Sequence, residues 1–379
     1  MGILRTVRPI FATGGFALAT RYDDVKEVFA NNAAFGVSYR ENLDVITGGA
    51  PFFLGMGDTA QYRTQLQAMR QVVLASDLPR LGDEAEARAR AIIDASGGEV
   101  EVVSLVRKVA FDLTGWYFGV PEPKRGRLDV WGSRLFEFQF TGSVADKDWL
   151  AEAEELATAF RDHIDAVIAD RKKSGATADD VLQRCLASQA EGKAGYSDAE
   201  IRTAILCMVV GGPPQPPMVV PQGIEQLLLR DDWLAAAGEA ARSSNDRRLH
   251  DILFEAMRFD PLAPGLKRVT LVDYRLARGT SRETAIPKGA TVIAAFASAM
   301  MDGRRVPEPS RFDPDRQPHE YMHFGHGLHE CFGRAINHAT LHRMIKPLLE
   351  KAGLRRAEGR AGRLTKRGVF AERLVVRYG

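Results

Sequence analysis

The chain has 379 residues, 45% of them hydrophobic and 26% charged, with a net charge of +2. That length holds a large core in one or two domains, and the composition is ordinary for a globular protein. The near-neutral balance sets up no bulk field toward nucleic acid or an anionic membrane. The three cysteines, Cys185, Cys207 and Cys331, stand at no metal-like spacing, which argues against a disulfide framework and against structural zinc.

In chain order, "MGILRTVRPIFATGG" is too short and too charged for a signal peptide or a spanning helix. No membrane anchor is expected, and a cytoplasmic location follows as the default. "TRYDDVKEVFA" from Thr20 reads as a strand end leading into a short helix. Residues 37–57, with "GGAPFFLGMG", read as an irregular apolar segment. "DTAQYRTQLQAMRQVV" reads as a helix with Asp58 as its N-cap and Leu66, Met69 and Val73 on one face. "GDEAEARARAIIDAS" is a further helix. "DWLAEAEELATAFRDHIDAVIADRKK" is a long one, with Leu156, Phe160, Ile164 and Val167 on its buried side. The longest basic run, Arg171 to Lys173, reads as solvated surface, and no nucleic-acid partner is expected.

The next stretch, "VVGGPPQPPMVVPQG" from Val209 to Gly223, breaks an apolar helix. Pro213, Pro214, Pro216, Pro217 and Pro221 each lack the N–H donor, at a cost of about 3 kcal/mol or more apiece in a helix interior. "DRRLHDILFEAMRFDP" then reads as a helix stopped at Pro261. "KRVTLVDYRLA" and "GATVIAAFASA" are β-like, and a final helix runs from about Gly333 to Lys351. No repeat, linker or domain boundary interrupts the chain. The reading is a mostly α single domain over 1–379 with a minor β portion.

The most specific stretch is "HFGHGLHECFGRAINHATLHRM". Phe324, Gly325, Gly327, His329, Cys331 and Gly333 stand in the order F-G-x-G-x-H-x-C-x-G, and this resembles the haem-ligand loop of the cytochrome P450 family. A thiolate is a good axial ligand for haem iron and pushes electron density onto it. A position just before a helix N-terminus stabilises the thiolate. On this resemblance Cys331 is the iron ligand of a haem b (iron protoporphyrin IX). Gly325 and Gly327 let the loop turn tightly, Gly333 lets the helix approach, Phe324 shields the sulfur, and His329 donates to a propionate. An inert buried thiol is the commonest state of a free cysteine. A zinc site is the other competing reading, from His319, His323, His326, His329, His338 and His342. Neither accounts for the glycine spacing.

Two more elements agree. "EAMR" puts Glu255 and Arg258 three apart on one helix face, matching the family's E-x-x-R. "PSRF" resembles its P-x-R-F and makes Arg311 the third member of a Glu–Arg–Arg cluster that braces the cysteine loop. "PLAPGLKRV" places Arg268 at the usual propionate arginine. The early helix carries Tyr62 and Leu66 where the family often has His and Arg, which leaves Arg63 or Arg70 as substitutes or as plain surface. The chain also enters almost directly at its first strand, where family members carry a longer N-terminal segment.

By order, "GGPPQPP" falls in the family's oxygen-binding helix, whose pattern is A/G-G-x-D/E-T-T/S. Gly211 and Gly212 match. Pro214 occupies the acid position and Gln215 the alcohol position, so the usual proton-delivering pair is absent.

The resemblance implies a monooxygenase acting on a hydrophobic small molecule, such as a lipid or terpenoid. Val37, Tyr39, Phe52, Phe53 and Leu54, then Leu135, Phe136, Phe138 and Phe140, are candidate pocket residues, although aromatic runs also build plain core. The sequence carries no flavin or iron–sulfur motif, so a separate ferredoxin or flavodoxin with its reductase is implied. The loss of the acid–alcohol pair keeps open a peroxide-driven or hydroperoxide-rearranging enzyme. A binding or recruiting module on the same fold is the third reading.

Overall fold

The structure is a computed structural model that describes residues 2–175 and 177–379. Among the described residues helices form most of the fold, and the strands form four sheets. A helix over Gly2–Val7 precedes the first strand.

The largest sheet has five strands in the order Ile10–Thr13, Phe16–Ala19, Thr291–Ala294, Leu266–Thr270, Phe35–Val37. Early and late segments of the chain therefore meet in one sheet. The register sets Val37 opposite Arg268, which brings the segment after Val37 beside the arginine singled out in the sequence. Ala17, Ala19, Val292 and Ala294 are fully buried under this sheet.

The helical part packs around one continuous apolar core. The long helix Lys147–Ser174 starts on Asp146, whose side chain accepts from Trp149 N. Ala153, Ala157, Phe160, Ile164 and Ile168 form its buried stripe, at the three- and four-residue spacing of an amphipathic helix. Leu156 and Val167 flank that stripe half-buried. The helix Ala60–Val72 is capped by Thr59, which accepts from Tyr62 N at 3.1 Å. Asp58 instead pairs with Arg63 at 2.5 Å on the surface. The segment expected to be irregular contains a helix, Arg40–Thr47, closed by Gly48 in the left-handed conformation (φ 66°).

The helix Asp246–Phe259 starts on Asn245 and stops before Pro261, where the pre-proline restriction and the missing N–H end it. Arg334–Leu349 packs along Leu78–Asp94. They come close at Gly82, where a Cβ would lie 3.0 Å from the Ala339 carbonyl.

The apolar run Asp198–Leu228 has the length and composition of a membrane span, but 67% of its most apolar window is buried inside the fold. It is also two helices. Asp198–Gly211 opens on a capping box between Ser197 and Glu200. Pro216–Leu228 begins with prolines in its first turn, where a missing N–H costs nothing. The break falls at residues 212–215 only, shorter than the Val209–Gly223 stretch expected from the sequence: Pro216 and Pro217 sit in the first turn of the second helix, and Pro221 lies inside it.

Candidate functional site

Three segments converge on one interior. Tyr39 is half-buried, and desolvation of its phenol pushes its pKa up; the Arg268 charge works against the shift, and Cys207 and Cys331 reinforce it. Tyr39 thus lies within electrostatic reach of the sheet (Arg268), the broken helix (Cys207) and the cysteine loop (Cys331). Its hydroxyl donates to Leu54 O at 2.9 Å.

The cysteine loop turns on Gly325 (φ 72°) and Gly327 (φ 75°), a conformation other residues rarely adopt. At Gly327 the space is closed as well, because a Cβ would meet Phe29 O at 2.8 Å. Cys331 N donates to Phe324 O at 2.9 Å, and Cys331 stands three residues before the helix Arg334–Leu349. Burial raises the Cys331 pKa, while a hydrogen bond from Gly333 N works in the opposite direction. Gly333 itself has an ordinary φ of −77°. A Cβ there would meet Cys331 Sγ at 3.8 Å and Asn337 Nδ2 at 3.4 Å, so helix approach does not demand glycine at that position. Phe324 packs on Phe254 (centroids 6.1 Å apart) and on His338 (5.1 Å).

Cys185 and Cys207 are buried thiols. Burial pushes Cys185 up to about 12 and raises Cys207 as well. Both stay protonated core side chains. Among the described residues no group of three or more His, Cys, Asp or Glu is arranged to hold a metal ion. The histidines near the loop pair otherwise: His250 Nε2 meets His338 Nδ1 at 2.8 Å and His250 Nδ1 meets Asp251 at 2.8 Å.

Arg268 is 5% exposed and has no acidic partner among the described residues; its guanidinium reaches only its neighbour's carbonyl, Lys267 O, at 3.0 Å, and lies over the Phe29 ring. Burial lowers its pKa. His329 Nδ1 is buried with no hydrogen-bond partner. Burial, then the Arg268 charge, lowers the His329 pKa to about 4. A buried guanidinium without an acidic partner, and an orphaned imidazole nitrogen that feels its charge, leave room for an anion. With a cysteine sulfur on the same loop, this donor set fits a haem, which brings both an iron and carboxylates.

Arg63 and Arg70 do not join that pair. Arg63 is spent on Asp58 at the surface. Arg70 is exposed at the rim of a cavity of about 300 Å³ lined by Tyr62, Leu66, Leu328, Cys331 and Phe332. Tyr62, at the missing histidine position, donates its hydroxyl to Leu328 O at 2.8 Å. It ties the early helix to the cysteine loop by a neutral bond.

The brace on the loop is built on Glu255. Arg258 donates to its carboxylate at 2.7 and 2.8 Å, and both side chains are wholly buried. Arg311 is not the third member. It is 64% exposed and pairs with Glu308. Arg316, 2% exposed, donates to Glu255 at 3.2 Å. Arg311 contributes its backbone: its carbonyl accepts from Arg258 and Arg316. The sequence "FDPDR" held the signal, an arginine just after a Pro–Asp turn, but P-x-R-F drew attention five residues upstream.

In the helix break, Gly212 N donates to Met208 O at 2.9 Å, and a Cβ on Gly212 would meet that carbonyl at 2.8 Å. A Cβ on Gly211 would meet nothing within 4 Å. Pro214 is buried, and the half-buried Gln215 turns its amide Nε2 back onto Gly211 O.

The expected pocket aromatics divide by helix face. Phe136 and Phe140, four apart on Leu128–Thr141, cluster with Tyr39 and Phe370 at 4.8–6.4 Å between centroids. Leu135 and Phe138 are fully buried core on the other face. Two residues missed in the sequence hold the Arg40–Thr47 helix over this interior. Asn42 donates to Phe138 O, Gln139 O and Gly142 O, and Arg161 donates to Val45 O and Ile46 O.

The comparisons with known proteins agree with this arrangement. The family model described as Cytochrome P450 matches residues 248–358. Cyclomarin C epoxidase CymV of Salinispora arenicola is 26% identical over 329 residues, covering 83% of this chain and 78% of that protein. Mycinamicin IV hydroxylase/epoxidase of Micromonospora griseorubida is 24% identical over 361 residues, covering 91% and 84%. The ligand-free structure of cytochrome P450 TbtJ1 superimposes over 100% of this chain and 96% of that one, with a TM-score of 0.81 at 22% identity. Loop, brace, fold and relatives together support a bacterial-type cytochrome P450, an oxidoreductase type whose cofactor is haem b.

Proposed function

We propose that the whole chain acts as one haem-thiolate monooxygenase domain that oxidises a hydrophobic small molecule with electrons from separate redox proteins. The observation that carries this reading is the glycine-turned loop that presents Cys331, with the orphaned Nδ1 of His329 on the same loop and the buried Arg268, which has no acidic partner among the described residues. In this reading Cys331 holds the iron, Arg268 and His329 hold a propionate, and the Tyr39, Phe136, Phe140 and Phe370 cluster forms an apolar wall for substrate. The relatives named as an epoxidase and a hydroxylase/epoxidase support the oxygenase reading.

The haem, when bound, supplies the redox chemistry. The protein's share is orientation, exclusion of water and proton supply. Asn42 and Arg161 keep the Arg40–Thr47 helix over the interior and so exclude water. Proton supply is where this chain departs from the family pattern A/G-G-x-D/E-T-T/S. Pro214 carries no proton, and the Gln215 amide donates to Gly211 O. Protons therefore arrive through water or through a polar group of the substrate.

That departure leaves one second reading to be tested, use of peroxide in place of dioxygen and electrons. A substrate screen by the spectral shift of the haem, followed by turnover with ferredoxin or flavodoxin and reductase against turnover with peroxide, separates the two. Turnover requiring the redox proteins supports the monooxygenase. Turnover with peroxide alone overturns it.

A further inference from the structure

The segment leading into the cysteine loop is fastened to the helix Asp246–Phe259 at two points besides the two arginine pairs, one on the Glu255 carboxylate and one on the neighbouring backbone carbonyl. Tyr321 is extended (φ −99°, ψ 142°), so Tyr321 and His323 fall on the same side of the chain. Tyr321 donates its hydroxyl to Glu255 Oε2 at 3.1 Å. His323 donates from Nε2 to Phe254 O at 3.0 Å. The acceptors are consecutive residues of one helix turn. The two rings stack at 5.3 Å and 20°, which fixes them relative to each other. Met322 between them points the other way and is buried in the apolar cluster that also holds Phe29 and Val292.

The clamp connects directly to the loop. Met322 O accepts from Gly325 N, and Phe324 O accepts from Cys331 N. Arg258 and Arg316 act elsewhere: their spare donors go to the carbonyls of Met300, Pro307, Glu308, Pro309 and Arg311. They hold the preceding loop, while Tyr321 and His323 hold the last residues before the turn. Burial lowers the His323 pKa to about 4, so its imidazole is neutral at pH 7. The bond to a carbonyl then places the single ring proton on Nε2.

We propose that His323 and Tyr321 are positioning residues for Cys331: they lock the 321–324 backbone to the helix Asp246–Phe259 and thereby hold the sulfur in its thiolate-ligand geometry. This rests on Cys331 being the axial ligand. The clamp is a pair of hydrogen bonds to a fixed helix. Its loss frees the loop without unpairing a buried charge, which distinguishes it from loss of Glu255.

The test uses haem-loaded wild type and the variants His323→Ala, His323→Gln and Tyr321→Phe. The rate at which the thiolate signature of the reduced carbon monoxide complex decays to that of a neutral thiol is read at pH 7, beside thermal loss of the helical far-ultraviolet signal. Loss of one buried hydrogen bond corresponds to decay about threefold to tenfold faster. That acceleration is expected for His323→Ala and Tyr321→Phe, with helix melting unchanged. His323→Gln, which keeps a donor at the Nε2 position, should return toward the wild-type rate. Decay at the wild-type rate in both His323→Ala and Tyr321→Phe overturns the proposal. So does faster decay matched by an equal fall in helix melting, which would mark a purely structural role. If His323→Ala gives no soluble protein, Tyr321→Phe, which removes one oxygen, decides alone. A wild type without a thiolate signature overturns the ligand assignment, and the clamp with it. A normal signature in wild type with unaffected variants overturns the clamp alone.

Discussion

The Arg316 guanidinium donates to the Glu255 carboxylate at 3.2 Å, with 2% of one side chain and none of the other exposed. Glu255 also accepts from Arg258, Tyr321 and Asp313 N. Breaking a buried pair by removing one partner costs about 3–5 kcal/mol. Glu255→Ala strands two buried cations and should give little soluble, haem-loaded protein. Arg316→Ala should approach that result. Arg311→Ala should stay within about 0.5 kcal/mol of wild type, as surface changes usually do. Denaturant midpoints and haem content check the three. An Arg311→Ala protein as damaged as Arg316→Ala would return Arg311 to the cluster.

Haem retention should depend on Arg268 and not on Arg63. A charge-assisted bond is worth about 1.5–3 kcal/mol, so Arg268→Ala should weaken haem binding about 10- to 100-fold. Arg63→Ala removes only its surface pair with Asp58 and should leave affinity unchanged. Transfer of haem to an excess of apomyoglobin measures both.

Acid should weaken the fold through the histidines between the helices Asp246–Phe259 and Arg334–Leu349. Burial lowers the pKa of His338 to about 4 and of His342 to about 3, against an ordinary value of 6.5. His250 is lowered too, burial outweighing Asp251. Above pH 6.5 folded and unfolded chains both carry these groups neutral. As pH falls below 6.5 the unfolded chain takes up protons first. Stability therefore drops toward pH 4, at up to about 1.4 kcal/mol per pH unit for each histidine. His342→Leu, which replaces a ring with an unpartnered Nδ1, should make this acid limb shallower. Urea unfolding from pH 7 to 4.5 reads the slope, and equal slopes in wild type and variant would contradict the account.

How much of this was legible in the sequence depended on whether a local pattern carried the information. The cysteine loop was legible because its pattern is local, ten residues long and matches a known family, and two of its glycines, Gly325 and Gly327, do sit at positive φ. The existence of the helix break was legible from the prolines, but its extent was not, because Pro216 and Pro217 fall in a first turn that tolerates them and Pro221 is carried inside the helix. Arg316 was not, because P-x-R-F describes the turn and not which arginine is buried; burial depends on Glu255, 61 residues away. The Arg40–Thr47 helix was missed because it has two turns, too short for a clear period. Its left-handed Gly48 cap was the available signal. Asn42 and Arg161 were out of reach, since each works on carbonyls of a distant helix.

The Gln215 position tests proton supply. General acid–base help is typically worth about 10²–10⁴-fold. In a reductase-driven assay, Gln215→Thr should change how electrons divide between product and released peroxide. The gain should be small, because Pro214 still provides no acid beside it. Gln215→Thr is also expected to leave any peroxide-driven turnover unchanged. A partition identical to wild type would place Gln215 outside the proton path.

The most direct test of the central claim is the reduced, carbon monoxide-bound spectrum of wild type, Cys331→Ser, Cys185→Ser and Cys207→Ser. The account predicts a thiolate-haem spectrum for wild type, Cys185→Ser and Cys207→Ser, and its loss in Cys331→Ser alone. A Cys331→Ser protein that keeps the thiolate spectrum, or a Cys185→Ser or Cys207→Ser protein that loses it, would contradict the assignment.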